Sequence, residues 1–252
     1  AIHVLGLLAA AAGPLAVGDV IRPSRSLGAS SDGSGGFMAE LSLDDVIDAD
    51  RFLTEDAARS LQQVGTSEDA ELQRYQYAHV SLLDYAQKDR YLGDRRFRDA
   101  IQRWARNWTD AGWPVRADDR AASVPRYLLA SYPSTLAQDQ QQLAALVSDV
   151  GWVEAATCLV GVDHVLADLR RAAAANPASV TAAAMLATVT GQAHDLRPPR
   201  PLDEAGYILR QLGMQAAELG EDSLAGEIRE RLLSQAVPGL IPIWTSRRAS
   251  RA

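Results

Sequence analysis

The spacing of apolar residues changes period within one stretch, Arg74 to Leu92, RYQYAHVSLLDYAQKDRYL. From Arg74 to Ala78 aromatic and polar residues alternate, with Tyr75 and Tyr77 on one face, and this predicts a strand. From Val80 onward Leu82, Leu83, Tyr85 and Ala86 fall at helical spacing. His79 stands at the joint. A helix start carries N–H groups without intrahelical partners and favours an anion, so His79 has two readings: a structural residue or an anion contact.

Upstream, Ala1 to Ala12 predicts a helix stopped by Gly13-Pro14, and Leu15, Val17, Val20 and Ile21 predict a second, ended by Pro23. Residues 24–36 are rich in Ser and Gly and read as a loop. A third helix is expected from Phe37 to about Asp50. Arg51 to Thr54 then reads as one strand of a hairpin with Arg74 to Ala78, and residues 55–73 as an acidic insertion between them. Three helices followed by a two-stranded wing is winged-helix order, a variant of helix-turn-helix.

Downstream of Gly93 the pattern is helical throughout. Phe97, Ile101, Trp104, Ala105 and Trp108 make a clear stripe. Further helices are expected at about 125–137, 138–148, 152–159, 161–175, 177–192, 202–219 and 222–237. Arg197 to Pro201 (RPPRP) reads as a stiff break, and Pro238 to Ala252 as a tail. The expected fold class is mainly α: a winged-helix domain, 1–92, followed by an α-helical arm of stacked helical hairpins, 93–252, solenoid-like but without a fixed repeat.

Composition agrees with helix: 47% hydrophobic and 23% charged residues, with Ala and Leu outnumbering β-branched types. Charge redirects the reading of the front half. Residues 1–125 carry 14 basic and 19 acidic groups, and from Phe37 to Gln73 two basic residues (Arg51, Arg59) face ten acidic ones. Such a surface repels phosphates, so no nucleic-acid partner is expected. The acidic run is either a solvated face or a docking surface for a basic partner domain.

Cys158 is the only cysteine and lies in an apolar helical pattern, which predicts a small buried residue in a reducing, cytoplasmic protein. The apolar run Ile2 to Ala12 is shorter than the roughly 20 residues that span a bilayer. It lacks a preceding basic segment, so a core helix is expected, with no signal peptide and no membrane partner. The first residue is not Met, and a piece of a longer polypeptide is expected.

The chemistry looked for is absent from the sequence. No G-x-x-x-x-G-K-[ST] cradle precedes the single lysine, Lys88, and no G-x-S-x-G elbow occurs. His3, His79, His164 and His194 are widely spaced, so no metal site is expected. No catalytic residue is assigned. Trp104 and Trp108 read as core, while Trp113 and Trp244 are expected to pack against neighbouring modules.

Tyr77-Ala78-His79-Val80-Ser81-Leu82-Leu83 resembles the "MHD" block of the STAND signalling ATPases, the class containing the NB-ARC proteins, with Ala78 and Val80 where the family has Met and Asp. A second similarity runs from Arg126-Tyr127-Leu128-Leu129 through Leu136-Ala137, Leu143 to Asp149, Trp152 and Leu166 to Leu169. A third is Leu224 to Pro242, LAGEIRERLLSQAVPGLIP. The resemblance implies a winged-helix plus helical-arm region lacking the NTPase module. It makes His79 the candidate contact to an ADP phosphate, with ADP or ATP bound only in the full-length protein and no cofactor in this piece. The implied partners lie in cis, an NTPase module and C-terminal sensor repeats, and the implied role is non-catalytic signal transduction in a bacterial regulator. Two rival readings are an autonomous helical protein-binding scaffold and a winged-helix DNA-binding regulator.

Overall fold

The computed structural model describes residues 2–28, 43–65, 72–115, 124–198 and 206–235. Among them the protein is mainly α, with thirteen α-helices and one three-stranded antiparallel sheet. Two compact units divide the chain: Ala1–Ala111 with Arg116–Thr135, and Gly112–Val115 with Leu136–Ala252.

In the first unit the order is α1 (Ile2–Ala11), β1 (Leu15–Ala16), α2 (Val17–Gly28), α3 (Leu43–Arg51), a π-helical turn (Phe52–Asp56), β2 (Leu61–Val64), β3 (Arg74–Tyr77), α4 (Val80–Lys88), α5 (Arg95–Asp110), α6 (Arg126–Ala130) and α7 (Tyr132–Thr135). The sheet order is β1-β3-β2, with Tyr75 between Leu15 and Gln63 and Tyr77 opposite Leu61. α1 is the hub, packed on α2, α4, α5 and β3. Gly6 lets the Phe97 ring of α5 come so close that a Cβ would lie 2.3 Å from it. The predicted stripe of α5 is the buried one: Phe97, Ile101, Trp104, Ala105 and Trp108. Asp94 caps this helix by accepting the Arg96 N–H at 2.9 Å.

Several expectations are corrected here. Arg51 to Thr54 is helical, not a strand. The chain continues from α3 into a turn closed by the Ala57 N–H on Phe52 O (2.9 Å), and the Thr54 hydroxyl donates to Asp50 O (2.8 Å). The hairpin partner of β3 is instead Leu61–Val64, where Gln62 and Gln63 face solvent. Leu15 and Ala16 form a strand, not the start of a helix, and α2 runs through Pro23 to Gly28. Residues 24–28 of the loop expected at 24–36 are therefore helix, while its remainder, 29–36, and the start of the third helix at 37–42 lie outside the described residues. The expected boundary after Leu92 also moves, because α5 buries its stripe with α1 and α2 and the Tyr127 hydroxyl of α6 donates to Ala11 O (3.2 Å). α5 to α7 therefore belong to the front unit.

The second unit holds α8 (Gln140–Ser148), α9 (Val150–Leu159), α10 (Val162–Ala175), α11 (Val180–Leu196), α12 (Tyr207–Leu219) and α13 (Asp222–Ser234). From α10 to α13 each helix packs on the next, and α9 also touches α12 and α13. Asp139, Asp149 and Ser179 cap α8, α9 and α11 through their side-chain oxygens. Trp152 anchors α9 and is fully buried. The tail from Pro238, and with it Trp244, lies outside the described residues.

Candidate functional site

The residue that the sequence singles out, His79, is the N-cap of α4. β3 ends at Tyr77, the Ala78 N–H bonds Ser60 O (3.0 Å), and His79 takes an extended conformation before the helix begins. Its Nδ1 accepts the Ser81 N–H at 3.2 Å and lies 2.7 Å from Ser81 Oγ. Its carbonyl accepts the Leu82 and Leu83 N–H groups at 3.0 and 3.2 Å. With Nδ1 an acceptor, the ring N–H is on Nε2, a donor with no partner among the described residues.

The frame around the joint is well fixed. The Tyr77 hydroxyl donates to Leu5 O (3.1 Å) on α1, and the Gln87 amide of α4 donates to Ala9 O (3.0 Å). Burial, aided by the charge of Asp89, pushes the Tyr77 hydroxyl up to about 12, so it stays protonated and a donor. The Tyr75 hydroxyl donates to Asp50 Oδ1 (3.0 Å) and is likewise pushed to about 12, by burial first and then by that carboxylate. Asp89 ends α4: its Oδ1 accepts the Tyr91 and Leu92 N–H groups, and these bonds hold its carboxyl below the usual range. Gly93 follows where a Cβ would sit 2.1 Å from Gln87 O.

His79 is exposed, and so are Val80 (66%) and Tyr85 (71%) on the helix it opens. A serine hydroxyl 2.7 Å from an imidazole nitrogen has the spacing of a nucleophile and its base. Here the contact belongs to the helix cap, and no carboxylate orients Nε2 among the described residues.

The other histidines do not join it. His3 lies edge-on to Phe97 at 6.1 Å between centroids, His194 is in the last turn of α11, and His164 Nε2 lies 3.4 Å from Asp168 on α10. No group of three or more His, Cys, Asp or Glu that could hold a metal occurs among the described residues. No helix there is long and apolar enough to cross a membrane. Cys158 is half-buried, more open than its apolar surroundings predict.

One polar cluster escaped the sequence reading. In the second unit Arg231 of α13 donates Nε to Glu154 of α9 (2.7 Å), Nη1 to Gly112 O (2.7 Å) and Nη2 to Trp113 O (3.2 Å). The Gln235 amide completes the set on Glu154 at 2.9 Å. Glu154 is 6% exposed, and burial raises its carboxyl against the opposing pull of Arg231. Trp113, expected to meet an outside module, is fully buried in this chain. Gly112 and Trp113 both have positive φ (71° and 51°), and the arginine fastens this bent strap. Partners 77 residues apart leave no local signal in sequence. No protein-family model, curated protein or solved structure matches the chain.

Proposed function

We propose that this chain is a non-catalytic regulatory region of a STAND-type signalling ATPase. In this reading the front unit is a winged-helix module and the second unit an arm of stacked helical hairpins. The order helix, short strand, two helices, hairpin and histidine-capped helix supports the first assignment, and the successive packing of α10 to α13 supports the second. The observation that carries the reading is the state of His79: Nδ1 is engaged by the start of α4, and Nε2–H remains as an exposed donor.

In the resting state the module caps a nucleotide site contributed by an NTPase module in cis, and His79 donates to a phosphate of bound ADP. The helical arm transmits the position of a C-terminal sensor, so that ligand binding there withdraws the cap. A full switch of this kind needs the ligand to prefer one arrangement by about 5.5 kcal/mol. The test is ADP release from the full-length protein, followed with a fluorescent nucleotide. His79→Ala is expected to speed release and raise basal signalling, while Ser81→Ala, which disturbs only the cap, leaves release near wild type. An unchanged off-rate in His79→Ala removes the histidine from the mechanism and leaves it a capping residue.

A further inference from the structure

Against an acidic chain of net charge −7, helix α5 is an exception, with five arginines and two aspartates. Its buried stripe fixes which side faces water, and Arg95, Arg98, Arg103 and Arg106 are all exposed on that side. Arg95 reaches only Asp99, at 3.5 Å across an exposed turn, and Arg98, Arg103 and Arg106 have no partner among the described residues. The complementary surface lies on the same unit. α3 and the turn that continues it carry six acidic residues and one basic, and Asp44, Asp48, Arg51 and Glu55 all face solvent. α2 packs on both α3 and α5.

The two faces match in register as well as in sign. Laid antiparallel, Asp44 comes level with Arg106 and Asp48 with Arg103. The one inverted position also finds its opposite, Arg51 meeting Asp99, and Glu55 meets Arg95. The offsets are 4, 7 and 11 residues along one element and 3, 7 and 11 along the other. Both stripes therefore run about 16 Å at the usual helical rise. The internal pairs Arg51–Glu55 and Arg95–Asp99 are exposed, so each can be exchanged for a contact between chains.

We propose that the α5 arginine face docks the α3 acidic face of a second copy of this chain. This inference is independent of any role for His79. Arginine suits such a contact because its planar fork engages carboxylates through two N–H groups. Exposed pairs are individually weak and screened by salt, so the association is low in affinity and sensitive to ionic strength.

The test is sedimentation velocity on the full chain across the micromolar range. At low ionic strength the average mass is expected to rise with concentration above that of one chain, and to return to it at high salt. Arg103→Glu with Arg106→Glu, and separately Asp44→Arg with Asp48→Arg, should each weaken self-association by about tenfold or more, because like charges then face each other. Circular dichroism confirms that each variant is folded. Mixing the two variants restores association, since each now carries the charge the other lacks. A wild-type chain that stays monomeric at low salt overturns the proposal, and so do folded variants that fail to associate when mixed. A monomeric chain that binds a random DNA duplex through the same arginines also overturns it, assigning the face to a polyanion.

Discussion

Replacing Arg231 by Met removes the guanidinium but keeps most of the stem's volume. It leaves Glu154, 6% exposed, with only Gln235 as a side-chain partner, and strips Gly112 O and Trp113 O of their donor. Breaking a buried ion pair from one side costs about 3–5 kcal/mol. The remaining Gln235 bond and the partial exposure of Arg231 (16% for its side chain) place this site near the lower end. Loss of about 3 kcal/mol should lower the melting temperature of a unit this size by roughly 10–15 °C. The pH dependence gives a second check. Burial already raises Glu154, and removing the cation raises it further. Between the unfolded and folded values the native state binds more protons than the unfolded one, so stability falls as pH rises through that window. The Arg231→Met deficit should therefore grow as pH rises through that window and shrink on acidification. Thermal and urea unfolding at several pH values, read by far-UV circular dichroism, measure both effects. A deficit below about 1 kcal/mol, or one that grows as pH falls, refutes the reasoning.

Two more substitutions probe the packing. Gly151→Ala places a Cβ 2.8 Å from Arg231 Nη1 and 2.9 Å from Gly112 O, so one must move; a loss of about 1–3 kcal/mol is expected in urea unfolding, much reduced in an Arg231→Met background. Tyr127→Phe removes the buried hydroxyl bonded to Ala11 O, and about 1–2 kcal/mol of stability in the same assay is expected to go with it.

What was legible in the sequence is what local periodicity encodes. The stripe of α5 and the change of period at His79 need no distant partner to be seen, and both appear where expected. β1 is two residues long and is a strand only because it pairs with Arg74 and Tyr75, nearly sixty positions away. β2, with two exposed glutamines at its centre, has no apolar alternation to mark it in the sequence as the partner of β3. Pro23 looked like a stop, yet α2 continues through it. At the site, capping by His79 follows from the junction, but its tautomer rests on Ser81 geometry that only coordinates supply. Glu154 is the one charged residue of the apolar α9 and Arg231 lies on the charged α13, and only packing brings them together as a buried pair.

The path of the backbone near Gly112 has a practical corollary. The chain leaves the front unit at Ala111, contributes four residues to the other, goes back, and departs again after Thr135. No single cut separates the halves cleanly. Truncation after Thr135 removes the Arg231 that holds the Gly112 and Trp113 carbonyls, and a fragment beginning at Leu136 lacks those carbonyls. The two halves are thus poorly suited to being excised or shuffled as independent cassettes.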